Sequence, residues 1–149
     1  MATNKNKQNK RANVGSTIER NNARIDATGE VFTPIELCER MVLDIPEDIL
    51  KKKEATFIDN SAGCGNFIMA LIKILTEKYG FSREYVIDHK IYAVEFMEDN
   101  HKELCDNIGV PYDHKHYVCA DALNYHYRFD GTSACAADPN NPLAMWADM

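Results

Sequence analysis

Several features that mark membrane, secreted or metal-binding proteins are missing from this sequence. No apolar run approaches the roughly 18 residues of a membrane-spanning helix, and no secretory signal peptide opens the chain. The five cysteines, at positions 38, 64, 105, 119 and 135, form an odd set without a C-x-x-C pair, which disfavours a disulfide framework or a zinc site. We therefore expect a cytoplasmic protein with reduced thiols, no bound metal and no membrane contact.

The two common phosphate-binding loops are missing as well. Gly63 and Gly65 form a G-x-G sequence, but a dinucleotide fingerprint needs a third glycine where Ile68 stands. No Gly-Lys-Ser/Thr sequence follows these glycines, so a P-loop is excluded. The sequence thus disfavours NAD as a ligand.

The chain has 149 residues, the size of a single domain, and its charge is unevenly distributed. Residues 1–24 contain six Lys/Arg against one Glu, a net charge of +5, and the rest carries −11. The first dozen residues have almost nothing apolar, which predicts a disordered basic tail at 1–24. Such a tail can contact DNA phosphates; the alternative is a solvated terminus without a partner.

A helix is predicted over residues 35–45. Thr33 and Glu36 have the spacing of a capping box, with Pro34 at the first helical position. Apolar residues recur at helical spacing as far as Ile45, where Pro46 ends the pattern.

Strand and helix patterns then alternate along the chain. A short apolar run ending in an acid predicts a buried parallel strand at 55–59. This order implies right-handed crossovers and a doubly wound, mostly parallel α/β sheet. The further predicted elements are a helix at 66–79, a strand at 90–95, a helix at 97–107 and a strand at 116–119.

Acidic residues follow the predicted strands, at the edge where open α/β sheets bind ligands. Glu95 can accept hydrogen bonds from the two hydroxyls of a ribose, each worth roughly 1.5–3 kcal/mol, or be a surface acid. Asp121 can accept a bond from an adenine amine or cap a turn. Asp59 can face an ammonium group or cap its own loop. Phe96 can stack on a purine or fill the core.

Four motifs in a fixed order carry a resemblance to a known family. Gly-Glu-Val-Phe-Thr-Pro at 29–34 precedes the stretches 59–67, 93–96 and 119–122. Together they resemble the amino-terminal half of the S-adenosylmethionine-dependent adenine-N6 DNA methyltransferases, as found in type I modification subunits of restriction-modification systems. The resemblance spans roughly residues 25–130. It implies S-adenosyl-L-methionine as cofactor, adenine in DNA as substrate, and a Rossmann-like class I methyltransferase fold.

The resemblance also implies the cofactor-binding residues. The Phe-Thr-Pro element corresponds to the family's cofactor-methionine motif, Glu95 to its ribose-binding acid and Asp121 to its adenine-binding residue. Asn60 stands where the family usually has proline. The residues expected to bind the cofactor are Phe32, Thr33, Pro34, Asp59, Ser61, Gly63, Gly65, Asn66, Phe67, Glu95, Phe96, Asp121 and Ala122.

The catalytic element of that family is Asn/Asp-Pro-Pro-aromatic, which follows a fourth strand. Its polar groups accept hydrogen bonds from the target amine, and its ring stacks on the flipped base. Phe129-Asp130 resembles the start of that strand. The expected catalytic residues are Asp138, Pro139, Asn141 and Pro142, although neither Asx-Pro pair continues with proline and an aromatic residue.

Two functions compete at this point. Residues 25–149 are expected to be a partial methyltransferase domain, truncated after the third or fourth strand, which transfers methyl to adenine in DNA alone or with a second chain completing the fold. The alternative is a non-catalytic S-adenosylmethionine-binding module or degenerate remnant. A small-molecule methyltransferase is a third reading, which the Phe-Thr-Pro element disfavours.

Overall fold

Three parallel strands and five short helices account for most of the secondary structure. A computed structural model of the chain describes residues 23–25, 30 and 32–131. None of the helices in these ranges has the length and apolar character needed to cross a membrane. In chain order the elements are α1 (Ile35–Leu43), α2 (Glu47–Leu50), β1 (Phe57–Asp59), α3 (Asn66–Glu77), α4 (Arg83–Tyr85), a π-helix (Val86–Lys90), β2 (Ile91–Glu95), α5 (Glu98–Ile108) and β3 (Tyr117–Cys119).

The three strands form one sheet in the order β1-β2-β3, and both neighbouring pairs are parallel. Asp59 is in register with Ala93, and Glu95 is in register with Cys119. The last residues of the strands therefore approach the same edge of the sheet. This arrangement confirms the predicted α/β class and parallel strand direction.

Helices cover one face of the sheet, which we call the helix-covered face. Successive side chains of a strand point to opposite faces, and Ile91, Ala93 and Tyr117 all enter this core. The helix residues buried against them come mainly from α1, α3 and α5, among them Cys38, Val42, Ile68, Leu71, Leu75, Leu104 and Ile108.

The opposite face, which we call the second face, has a smaller core. Val94 and Val118 form a buried cluster with Ala120 and Tyr125, against which Phe129 packs. In the described part of the chain this cluster contains no helix residue. The second face is therefore covered by the irregular segment 120–129.

Two details of helix α1 differ from the prediction. Pro34 has extended dihedral angles and is the N-cap residue, so it does not occupy the first helical position. No side chain caps the helix, and its first hydrogen bonds run from the N–H groups of Leu37 and Cys38 to the Pro34 carbonyl. The carbonyl of Thr33 instead accepts a hydrogen bond from Asn66. The predicted capping box is therefore wrong.

The first strand and the proposed fourth strand also differ from the prediction. Strand β1 is shorter than predicted and is not buried, since Ile58 is 53% exposed at an edge of the described sheet. Tyr127 and Phe129 have positive φ angles of 55° and 49°. That left-handed conformation is incompatible with a strand, so Phe129-Asp130 does not begin one. Helix α2, helix α4 and the π-helix were not predicted.

Candidate functional site

A cleft of about 600 Å³ opens at the carboxyl ends of the three strands. Its size falls within the roughly 300–1,000 Å³ typical of small-molecule and cofactor sites. Four parts of the chain contribute to its lining: Glu30 with residues 32–33, and the segments 59–67, 95–100 and 120–123. Every residue predicted to bind the cofactor lines the cleft except Pro34 and Gly65.

Negative charge dominates the cleft. The carboxyl groups of Glu30, Asp59, Glu95 and Asp121 belong to its lining, and no Lys, Arg or His does so among the described residues. Charges of like sign in one site repel an anion and attract a cation. The cleft therefore favours a cationic ligand over one that carries phosphates.

Glu95 is buried at the end of β2 and is firmly hydrogen-bonded. Its Oε2 accepts a bond from the Gly63 N–H (2.7 Å), and its Oε1 accepts bonds from the Met97 N–H (3.0 Å) and from Asn100 Nδ2 (3.2 Å). A carboxylate offers about four acceptor positions. Glu95 thus joins the first loop to the start of α5 and retains one position for a ligand donor.

Asp121 caps a turn in the described chain. Its Oδ1 accepts a hydrogen bond from the Leu123 N–H (3.0 Å), and its Oδ2 accepts one from Asn124 Nδ2 (2.5 Å). Its main-chain carbonyl accepts bonds from the N–H groups of Asn124 and Tyr125. The turn-capping role that the sequence left open is therefore present, and adenine binding by Asp121 stays a prediction.

Asp59 has a similar double character. Its Oδ1 accepts a hydrogen bond from the Ser61 N–H (3.0 Å), which caps the loop after β1. Burial raises the pKa of the Asp59 carboxyl, and the bond from Ser61 partly offsets that rise. A nearby cation would stabilise the ionised form, so Asp59 is a candidate contact for a positively charged ligand group.

The two glycines of the first loop make close contacts within the protein. Gly63 has a φ of 56°, and a Cβ there would lie 2.7 Å from the Phe32 ring. Gly65 has a φ of 93°, and a Cβ there would collide with the Leu104 side chain. The sequence predicted that these glycines let backbone approach a ligand. The structure shows that they let Phe32 pack on the loop and let α3 approach α5.

Asn66 connects two walls of the cleft. It is buried at the start of α3, and its Nδ2 donates a 2.9 Å hydrogen bond to the Thr33 carbonyl. Its Oδ1 is 3.6 Å from the Cys64 sulfur. Through these contacts the segment around Phe32 is attached to the first loop.

Sequence reasoning missed several lining residues. Glu30 lay within a recognised motif but was not assigned a role. The sequence did not indicate a role for Asn100 in the site, because a polar residue in the charge-rich stretch 97–107 is typical of a solvated helix face. The other unassigned lining residues are Asn60, Ala62, Met97, Ala120 and Leu123.

The described residues provide neither a metal cluster nor, at Cys38 and Cys105, a reactive thiol. No cluster of three metal-ligating side chains exists within the described ranges. Burial raises the pKa of the Cys38 thiol to about 11 and that of Cys105 to about 12, which suppresses their thiolate forms. The predicted catalytic residues Asp138, Pro139, Asn141 and Pro142, and most of the basic tail, lie outside the described residues.

Comparison with known proteins adds no family to this picture. Neither a protein-family model, nor a curated protein, nor a solved structure matches the chain. The interpretation of the cleft therefore depends on the residues of this chain alone.

Proposed function

We propose that the cleft binds S-adenosyl-L-methionine and that the chain is the cofactor-binding part of an adenine-N6-specific DNA methyltransferase. The observation that carries this proposal is a cleft with four acidic lining residues and, within the described ranges, no cationic one; the charge of one of these acids, Glu30, is offset by Arg24 behind it. S-adenosylmethionine has a sulfonium and an ammonium group against a single carboxylate, so its net charge is positive. The negative cleft attracts that ligand and repels the pyrophosphate of NAD.

The described residues suit the parts of this cofactor. Glu95 has an acceptor position for a ribose hydroxyl, and Asp59 supplies negative charge that no described cation offsets. The aromatic rings of Phe32, Phe67 and Phe96 offer faces for a purine or a sulfonium group. When bound, the cofactor supplies a methyl group on positively charged sulfur.

The target adenine is proposed to bind near the two Asx-Pro pairs. Asn141 and Pro142, with Asp138 and Pro139 as the other Asx-Pro pair, would accept hydrogen bonds from the target amine and fix its orientation. Such alignment supplies most of the catalysis expected for this reaction. A second chain that completes the sheet is the proposed protein partner, and residues 1–24 are proposed to contact DNA phosphates.

Calorimetry with S-adenosylmethionine tests the binding site directly. Glu95→Ala is expected to weaken binding about tenfold or more, because a charge-assisted hydrogen bond to ribose is lost. Glu98→Ala is the matched control, since it removes an exposed acid three residues away that pairs with Lys102 outside the cleft. Equal affinity of the Glu95 variant and the wild type would remove the ribose assignment.

A methyl-transfer assay tests the reaction. The full chain is incubated with unmethylated DNA and a cofactor labelled on its methyl group, and label in adenine is measured. Asn141→Ala is expected to abolish incorporation while leaving cofactor affinity unchanged.

A non-catalytic cofactor-binding module is the second candidate function. It is favoured by the sequence Asp138-Pro139-Asn140-Asn141-Pro142, which lacks the paired prolines and the aromatic residue of the family. Cofactor binding without incorporation of label, also in the presence of a complementing chain, would support this candidate and reject the enzyme.

A further inference from the structure

One guanidinium group lies between two acids beside the cleft. Arg24 Nε and Nη2 bond to the two carboxylate oxygens of Glu30 at 2.5 and 3.1 Å. Arg24 Nη1 and Nη2 bond to the two oxygens of Asp99 at 2.5 and 2.8 Å. Arg24 therefore makes a bidentate contact with each acid, the geometry for which arginine is suited and lysine is not.

One amide group then connects this pair with Glu95. Asn100 is 1% exposed, and its Nδ2 donates hydrogen bonds to Oε1 of Glu30 and to Oε1 of Glu95. Only the NH₂ end of an amide can face two carboxylates, so the orientation of Asn100 is determined by its neighbours. Glu30 and Glu95 both line the cleft, and they share this single donor group.

From these contacts we propose that Asn100 and Arg24 are positioning residues that hold Glu95 and Glu30 for the ligand. Asn100 orients Glu95 directly, and Arg24 acts through Glu30. The inference rests on the proposed cofactor site and adds to it two residues outside the predicted cofactor set. Its consequence is selectivity for a ligand with ribose hydroxyls.

The arrangement of the charges supports a positioning role. Two carboxylates close to one nitrogen repel each other. The donor hydrogens of Asn100 and the positive charge of Arg24 offset that repulsion. The Glu30 side chain is only 9% exposed and that of Arg24 20%, so solvent screens this pair less than a surface ion pair.

Paired ligands separate positioning from general destabilisation. The affinity of Asn100→Leu is measured for S-adenosylmethionine and for its 2′-deoxyribose analogue. We expect the variant to bind the cofactor about three- to tenfold more weakly, the equivalent of about one hydrogen bond. Affinity for the deoxy analogue is expected to change little. The dissociation constant of the analogue divided by that of the cofactor therefore falls. A partly unfolded variant would lose affinity for both ligands by the same factor.

Arg24→Lys is a second variant at a more exposed position. It keeps the positive charge but loses both bidentate contacts, and we expect about two- to fivefold weaker cofactor binding with little change in melting temperature. Lys73→Met is the matched control, because it removes an exposed ion pair with Glu39 that lies outside the cleft. Its affinity is expected to equal that of the wild type.

A ligand-free measurement tests the orientation of Glu95 by itself. The Gly63 and Met97 N–H groups donate to Glu95, so their amide resonances are expected to shift in Asn100→Leu. Unchanged resonances together with an unchanged affinity ratio would overturn the inference. A wild-type protein that fails to bind the cofactor would instead overturn the proposed function. Shifted amide resonances would then still support the orienting contact.

Discussion

The two faces of the sheet are supported very differently. On the helix-covered face, Ile91, Ala93 and Tyr117 are fully buried beneath residues from three helices. On the second face, the buried cluster has four members, and the only cover within the described residues is the segment 120–129. Ile58, which is in register with Tyr92, is half exposed. Most of the apolar stabilisation of the described sheet thus comes from one side.

This difference reaches the candidate site. Glu95 and the first loop are tied to α3 and α5, which belong to the large core. Asp121 follows β3 on a turn that continues into Tyr125 and Phe129, the cover of the second face. We therefore expect the Glu95 side of the cleft to be more stable than the Asp121 side.

The largest expected effect is the difference in the free energy of unfolding between Leu104→Ala and Val118→Ala. Leu104 is fully buried against Gly65 on the helix-covered face, so its truncation is expected to lower the free energy of unfolding by about 2–5 kcal/mol. Val118 is 9% exposed on the second face, and its smaller truncation is expected to cost about 1–2 kcal/mol. Urea denaturation of both variants checks this order, and equal losses would contradict the comparison.

Lys90→Met, on the helix-covered side, is expected to lower the free energy of unfolding by about 2–3 kcal/mol. The Lys90 ammonium is buried and donates to the carbonyls of Lys52 (2.9 Å), Lys53 (3.0 Å) and Ala55 (2.8 Å). Methionine fills the space but removes the ammonium donor from these three carbonyls, of which that of Lys52 keeps the Ala55 N–H. Lys73→Met, at an exposed ion pair, is the control and is expected to cost less than about 1 kcal/mol. A similar loss in both variants would exclude a structural role for the buried ammonium.

Phe129→Leu examines the cover of the second face. Its ring lies 4.8 Å from that of Tyr92 and 5.3 Å from that of Tyr125, and such pairs contribute about 0.5–1.5 kcal/mol beyond their buried area. We expect a loss of about 1 kcal/mol and faster amide exchange at residues 121–125, with no change at residues 63–65. Uniformly faster exchange would show that the two sides of the cleft are equally stable.

The smallest expected effect is the contribution of His116 to the pH dependence of folding stability. Burial lowers the pKa of this imidazole from its usual 6.5, and its Nδ1 has no hydrogen-bond partner among the described residues. Below about pH 6.5 the unfolded chain binds more protons than the folded one at this position, so stability falls as the pH decreases. His116→Phe keeps the ring next to Tyr92 and is expected to reduce that fall by less than about 1 kcal/mol. The same pH profile in both proteins would exclude His116 as its source.

The sequence predicted the elements that have strong local patterns. Helix α3 and strand β2 were found within two residues of their bounds, because their apolar residues follow a clear helical or strand period. The placement of acids after strands then predicted which segments line the cleft. These segments line one cleft because parallel strands bring their carboxyl ends to one edge; ligand binding by the acids stays a prediction.

Contacts between distant residues could not be predicted from one sequence. Asn100 contacts Glu30 across 70 positions of the chain, and Lys90 caps carbonyls 35 to 38 residues away. Nothing in the local pattern distinguishes these residues from solvated polar ones. The predicted strand start at Phe129 was wrong for a related reason: the residue has a positive φ and packs against Tyr92 and Tyr125, contacts that its local sequence does not reveal.

The register of the sheet determines the distance between the acids at its strand ends. Asp59 pairs with Ala93, two residues before Glu95 on the neighbouring strand, so backbone hydrogen bonds hold the two acids at a diagonal spacing of about 7–8 Å. A slip of β2 by a single residue would turn Glu95 away from Gly63 and reverse the exposure of every side chain in that strand. Ligand recognition therefore depends on strand pairing. Substitutions in the loops can change other contacts of the ligand, but the distance between these two acids changes only if the pairing of the strands changes.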